Sequence, residues 1–227
     1  MSEGNVQAGT LPPSPEHTSS FKMISSLGAA GAAAGLLIVL VFGVTKEPIE
    51  RYKAEVLRLA VSEVLNDPAR YETLYVTSDG AIEASVPAGT ESEAKKIYVG
   101  FDADGHATGV AVKDGAAGFQ DIITLIYGFD PTSGKLLAMK VLENKETPGL
   151  GDAIEKDLAF VSQFEQATPP LAAVKRSTGA PGEIDAITGA TISSRAVVRI
   201  INESLARLRA PIEAYFSQAS AREEALP

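Results

Sequence analysis

The sequence has no cysteine and no tryptophan, and only two of its 227 residues are histidine. The missing cysteines exclude disulfides, iron–sulfur ligation and thiol nucleophiles from this chain. The histidines, His17 in a polar N-terminal stretch and His106 beside an Asp-Gly pair, are too far apart in character to suggest a shared metal or catalytic centre. No metal site and no catalytic acid, base or nucleophile is expected. Positive charge is also scarce. There are 20 Lys and Arg against 29 Asp and Glu, a net charge of −9. Setting aside the first 45 residues, with Glu3, Glu16 and Lys22, leaves 27 acids and 19 bases, a net −8. An acidic chain with no basic stripe argues against nucleic acid as a partner.

Charge is wholly absent over one stretch, the 23 residues 23–45. As a helix these span roughly 35 Å, enough for a hydrocarbon core of about 30 Å. The run is too long for the apolar region of a cleaved signal, and Thr45-Lys46-Glu47-Pro48 lacks the small-residue cleavage pattern. It is read as a retained transmembrane helix. Gly31 and Gly35 make a GxxxG pair in its small-residue half, and Leu36 to Phe42 make the other half bulky. Residues 1–22, rich in Gly, Pro, Ser and Thr, read as a disordered tail.

Residues 46–66 read as a stalk helix continuing outward. Pro48 falls in its first turn, Ile49, Tyr52, Val56, Ala60 and Val64 share one face, and Asn66-Asp67-Pro68 ends it. A domain over 67–211 and a polar tail over 212–227 follow. Residues 77–95 look like loop with one short strand. Two β-hairpins are predicted, Ile97–Phe101 with Thr108–Val112 about Asp104-Gly105, and Ile122–Phe129 with Lys135–Leu142 about Asp130–Gly134. Between them Asp114-Gly115-Ala116-Ala117-Gly118-Phe119 reads as a flexible connection. Asp152 to Phe164 reads as one helix with Ile154, Leu158, Val161 and Phe164 inward, and 166–183 as a loop. The last helix is placed from about Ser193 to Leu208, with Pro211 ending it. Strand pairs packed with helices make the fold class α+β.

Just before that helix stands Asp185-Ala186-Ile187-Thr188-Gly189-Ala190-Thr191. Small residues at 189 and 190 let a bulky ligand approach the backbone, and Thr191 falls where an N-cap would sit, at an end that suits a phosphate. An ordinary capped turn is the plain alternative. The motif resembles the flavinylation motif of FMN-binding domains in the Rnf and Nqr respiratory complexes. Glu146-Thr147-Pro148-Gly149-Leu150-Gly151-Asp152 resembles a second segment of that family, in the same order. Together, behind one membrane span, they are most similar to the G subunit of Rnf-type complexes, over roughly residues 23 to 210.

The resemblance implies FMN esterified through its phosphate to Thr191 by a separate flavin transferase. Ser193 and Ser194 would hold phosphate oxygens, with Thr188, Gly189 and Ala190 nearby and Asp185 either positioning the segment or binding a metal during flavin transfer. Glu146 and Thr147 would face the isoalloxazine edge, with Gly149 and Leu150 packing near the ring, and residues 114–119, read above as a flexible connection, would instead be a glycine-lined wall of the flavin pocket. It further implies an electron-relay subunit of a complex that couples electron flow between ferredoxin and NAD to ion transport, partnered by the other subunits. It places the domain in the periplasm, outside the inner membrane. The bases Lys46, Arg51, Lys53 and Arg58 just after the span point the other way by the positive-inside rule. Two further classes stay open: another single-span FMN protein, such as the C subunit of the sodium-pumping NADH:quinone oxidoreductase or a lone flavin shuttle, and a non-redox membrane-anchored binding module.

Overall fold

The computed structural model describes residues 20–77, 80–85 and 94–224. The predicted disordered tail therefore falls almost entirely outside the described residues, as does most of the 77–95 stretch. The first element is a single helix, α1 (Ser20–Val64). Its apolar portion exposes Leu36, Leu37, Ile38, Val39, Leu40 and Phe42. It is long and apolar enough to cross a membrane once. Pro48 lies inside this continuous helix and not in a first turn, so the Val44 carbonyl lacks its amide partner.

Chain contacts divide the molecule into two units, residues 1–52 and 53–227. The second unit holds the end of α1 and everything after it. Asn66 and Asp67 take positive φ of 58° and 53°, and the Asp67 amide donates to the Ser62 carbonyl at 2.8 Å, which closes the helix where the sequence predicted.

Six antiparallel strands follow: β1 (Arg70–Val76), β2 (Ile82–Glu83), β3 (Lys95–Phe101), β4 (Ala107–Ala117), β5 (Ile122–Asp130) and β6 (Lys135–Glu143). They form one sheet in the order β2-β1-β3-β4-β5-β6. Both predicted hairpins are present. Strand β1 has no counterpart in the sequence reading, and pairs all seven of its residues with β3. The 114–117 segment is likewise not a flexible connection. It belongs to β4, paired from Asp114↔Leu125 to Ala117↔Ile122. The reason is tertiary: the Asp114 carboxylate, half-buried, accepts from Lys95 Nζ at 3.0 Å and from an Arg207 guanidinium nitrogen at 2.7 Å. Neighbouring elements thus satisfy a polar group that would otherwise favour a turn.

One face of the sheet carries the end of α1. Ala60, Val61, Val64 and Leu65 pack on Tyr98, Ala111 and Ile126. Helix and sheet come close enough that a Cβ at Gly128 would lie 1.9 Å from the Val64 carbonyl oxygen. The other face carries the main core, built from Val99, Val110, Leu125, Tyr127 and Phe129 with the later helices.

After β6 the predicted single helix is broken into α2 (Ala153–Lys156), α3 (Leu158–Val161) and a 3-10 turn, Ser162–Phe164. Asp157 is extended, and its carboxylate caps the amides of Ala159 and Phe160 at 2.9 and 3.3 Å, restarting the helix. Ile154, Phe160 and Phe164 turn inward, whereas Leu158, expected inside, is 79% exposed. Two short parallel strands, β7 (Ala172–Val174) and β8 (Glu183–Asp185), lie in the predicted loop or at its end.

The final helix, α4 (Thr191–Glu224), begins earlier and ends later than expected. Pro211 sits inside it, and no tail departs there. An interior proline costs about 3 kcal/mol. Beyond it Ile212 is fully buried and Phe216 nearly so, each burial contributing roughly 1.5–3 kcal/mol. Packing therefore outweighs the lost hydrogen bond.

Candidate functional site

Three loops converge beside the start of α4: the β4–β5 turn at 118–121, the β6–α2 loop at 144–152, and residues 186–190. One side chain joins them. Glu146, 4% exposed, accepts from the Phe119 and Gln120 amides through Oε1, at 2.9 and 3.1 Å. Its Oε2 accepts from the Ser193 hydroxyl at 2.6 Å. Burial raises its pKa, but the Ser193 hydroxyl and the amides of residues 119 to 121 outweigh that and hold it below its ordinary value. It is a carboxylate fixed on the protein's own donors. The backbone is shaped around it: a Cβ at Gly118 would lie 2.4 Å from Oε1, and one at Gly151 2.7 Å from Oε2.

The second loop closes on itself. The Asp152 carboxylate accepts from the Gly149 amide at 2.7 Å and from Lys156 Nζ at 2.6 Å. The Lys156 hydrogen bond leads in holding the Asp152 pKa low. Gly149 takes φ +77°, a conformation few other residues adopt. Thr147 Oγ1 donates to the Gln120 side-chain oxygen at 3.1 Å. These bonds leave Leu150 half-exposed at the rim.

In the third loop Gly189 takes φ +87° and the Ser194 amide donates to the Ala190 carbonyl at 2.9 Å. The cap position is thus Ala190, whose side chain caps nothing. Thr191 is the first helical residue and not the cap expected of it. Its side chain is exposed and makes no hydrogen bond among the described residues. Helix geometry leaves the amides at the start of α4 without carbonyl partners inside the helix. Ser194 is fully buried, donating to the Ala190 carbonyl at 2.9 Å and accepting from the Ile187 amide at 3.1 Å. The hydroxyls of Ser193 and Ser194, expected on a phosphate, therefore face inward and hold the loops in place. Asp185 also acts locally: its amide donates to Gln163 Oε1 at 2.6 Å, and its carboxylate accepts from the Ser177 amide.

Two clefts, each of about 220 Å³, meet at residues 189–191. The first is walled by Phe119, Leu150 and Ile192, with Glu146, Thr147 and Ser193 at its floor and edge. Phe119, Leu150 and Ile192 are 64%, 51% and 55% exposed, so an apolar wall stands open to solvent. The second is bounded by Thr188, Lys175 and Arg195. Gly189 and Thr191 border both. Of the residues singled out in the sequence, Glu146, Thr147, Leu150, Gly189, Ala190, Thr191 and Ser193 meet in the first cleft, and Thr188 in the second. Gly149, Ser194 and Asp185 line neither and shape the loops instead. Sequence reasoning named Gly151 only as part of its motif, and missed Ile192, Lys175 and Arg195. Ile192 carried one usable signal, an apolar residue directly after the motif on the face turned away from the buried positions.

Away from these clefts, Asp102, Asp104 and His106 gather within 4.8 Å in the β3–β4 turn. Asp102 Oδ1 accepts from the amides of Asp104 and His106, both at 2.9 Å, which is the work of a turn cap.

Residues 118–206 match the family model of the FMN-binding domain. The G subunit of an ion-translocating oxidoreductase complex from Vibrio vulnificus is 30% identical over 184 residues, 78% of this chain and 82% of that protein. The chain belongs to the G-subunit family of ion-translocating oxidoreductase complexes. Another member, the G subunit of the Na(+)-translocating ferredoxin:NAD(+) oxidoreductase complex of Acetobacterium woodii, is 29% identical over 189 residues, 82% of this chain and 89% of that one. The crystal structure of NqrC from Shewanella oneidensis shares the fold at a TM-score of 0.58 and 18% identity, covering 75% of this chain and 99% of that one. In this G-subunit family member the FMN-binding match starts at the Gly118 turn and ends within α4. Both clefts, and the 189–191 ridge where they meet, fall inside it.

Proposed function

We propose that this subunit carries FMN as a phosphoester on Thr191 and relays electrons within an ion-translocating complex acting between ferredoxin and NAD. The observation that carries this is an unengaged, exposed Thr191 hydroxyl on the rim of a cleft with an open apolar wall. The donor set fits a phosphorylated aromatic group: Phe119, Leu150 and Ile192 offer apolar surface to a flat ring, and the free amides at the start of α4 suit an anion.

Bound flavin supplies the electron chemistry, which this chain's side chains cannot. The chain's own part is to hold and orient. Glu146 locks the Phe119 turn to the Ser193 turn, so both sides of the cleft keep one separation. Gly189 keeps the ridge low, because a Cβ there would press on Leu150 at 3.3 Å. Thr147, its hydroxyl held by Gln120, supplies a polar group at the cleft's edge. A separate flavin transferase installs the group, and the tether keeps it from being lost on the periplasmic side of the inner membrane, where α1 would hold the domain. The remaining subunits of the complex are its partners. The span carries no charge over 23–45, so it offers no ion path by itself.

Intact-mass measurement of the full chain co-expressed with a flavin transferase tests the reading. The wild type gains the mass of one bound FMN and shows flavin fluorescence after denaturation. Thr191→Ala shows neither, and its stability changes by no more than about 0.5 kcal/mol, since the side chain caps nothing. Denaturation-resistant flavin persisting in Thr191→Ala would refute the assignment.

A further inference from the structure

Gln163 lies outside both clefts, yet its side chain is committed to the motif that ends at Thr191. It sits in the 3-10 turn Ser162–Phe164, which Phe160 and Phe164 anchor, both buried with ring centres 5.3 Å apart. Both of its polar groups bond the backbone of one residue. Oε1 accepts from the Asp185 amide at 2.6 Å, and Nε2 donates to the Asp185 carbonyl at 3.3 Å. Strand geometry makes those groups available, because successive residues turn their backbone groups to opposite edges. The Gly182 carbonyl and the Ala186 amide turn to β7, each bonded at 2.8 Å, to Ala172 and Val174. Asp185 therefore turns outward, and Gln163 stands where a further strand would. Leu171, just before β7, is held in the same way by Asn202: its amide donates to Oδ1 and its carbonyl accepts from Nδ2, both at 2.8 Å. One amide side chain thus brackets each outer edge of the β7–β8 ribbon. The two brackets differ in what they lead to. Leu171 leads into β7. Asp185 leads into the 186–190 loop, whose other end Ser194 fastens through the Ile187 amide and the Ala190 carbonyl. Thr191 follows that loop directly and opens α4.

We propose that Gln163 is a positioning residue for the modification of Thr191: its hold on Asp185 fixes where the 186–190 loop offers the Thr191 hydroxyl to the flavin transferase. The inference rests on the reading of Thr191 as the flavin position. Forming the ester needs an activated donor, by class a flavin dinucleotide. Thr191 Oγ bonds to the flavin-side phosphorus, and the P–O bond of the pyrophosphate bridge breaks. A nucleoside monophosphate leaves with that bond's electron pair, and the hydroxyl proton passes to solvent. Such a displacement needs the attacking oxygen aligned, and a misplacement of about 1 Å costs up to about a hundredfold in rate. Gln163 touches no reacting atom and acts only through Asp185.

The test uses the full chain in detergent, purified without flavin and incubated with a purified flavin transferase and flavin adenine dinucleotide. Covalent flavin is followed by intact mass. Gln163→Met and Asn202→Leu are matched variants, since each keeps the side chain's size and removes two backbone bonds. Both should lower the melting temperature. Only Gln163→Met should slow attachment, with kcat down about tenfold and KM for the chain within about threefold of wild type. Asn202→Leu should keep kcat within about twofold. A second readout needs no flavin. Hydrogen exchange at the Ala186, Ile187 and Ala190 amides, all bonded in the wild type, should quicken about tenfold in Gln163→Met and stay unchanged in Asn202→Leu. Wild-type kcat in Gln163→Met, equal slowing in both variants, or unchanged exchange at those three amides would each overturn the role. Should Gln163→Met fail to fold, Gln163→Glu takes its place, keeping the acceptor of the 2.6 Å bond and losing the donor. Its kcat lying at least about threefold below wild type supports the role, and an equal kcat overturns it. Wild type that takes up no flavin sinks the reading of Thr191 and the positioning role with it. Wild type and Gln163→Met labelled equally fast sink the positioning role alone.

Discussion

Ser193 Oγ donates to Glu146 Oε2 at 2.6 Å, a buried bond between residues 47 positions apart. It ties the first turn of α4 to the loop after β6, and Glu146 Oε1 carries the tie on to the β4–β5 turn.

Glu146→Ala removes the acceptor for one hydroxyl and two amides at a buried position. A loss of roughly 2–4 kcal/mol is expected from urea unfolding of the unflavinylated protein. Glu146→Gln retains one carbonyl oxygen and should lose less. Equal stability of Glu146→Ala and wild type would show that the three loops hold together without it.

The same group makes stability depend on pH. Its folded pKa is depressed below the ordinary 4.5. The unfolded chain therefore binds the proton more readily, and the stabilisation is complete above the ordinary value and lost as pH falls through the folded one. Unfolding curves collected from about pH 6 down to about pH 3, across the range where carboxylates titrate, should fall less steeply for Glu146→Gln than for wild type.

Gly128→Ala should be the most damaging single methyl in the second unit. The added Cβ would lie 1.9 Å from the Val64 oxygen and 3.1 Å from Leu137 Cβ, so the end of α1 must lift from the sheet. Overpacking of this kind costs about 1–3 kcal/mol and more where backbone must move. Thermal unfolding of the full chain in detergent measures it. A melting temperature within about 1 °C of wild type would mean the helix end yields freely.

Two fusions after Pro227 test the side of the membrane. A periplasmic domain predicts an active alkaline phosphatase fusion and a dark fluorescent-protein fusion. The reverse pattern would follow the bases Lys46, Arg51, Lys53 and Arg58 and place the domain in the cytoplasm.

Local pattern was enough for the apolar helix, the end of α1 at Asn66-Asp67, both hairpins and the existence of α4. Each rests on short-range physics: charge-free length, turn residues able to take positive φ, alternation, and helical spacing. The motif residues near 146–151 and 188–193 were also legible, through resemblance. What those residues do individually was not. Glu146, Ser193 and Ser194 look like ligand-facing polar groups in one dimension. In three dimensions Ser193 bonds to Glu146, and Ser194 to the backbone of Ile187 and Ala190, because burial leaves a polar side chain no solvent and forces it onto the nearest partner. The strand at 114–117 exists because Lys95 and Arg207 arrive from other elements to neutralise Asp114. The break at Asp157 and the passage of α4 through Pro211 are likewise settled by capping and burial and not by propensity. That Lys175 and Arg195 line one cleft depends on β7, three residues long and parallel to β8, too short to leave a period in the sequence. Sequence determined which elements could form. Contacts between residues far apart in the chain decided where helices stop, which polar groups turn inward, and which are left facing the clefts.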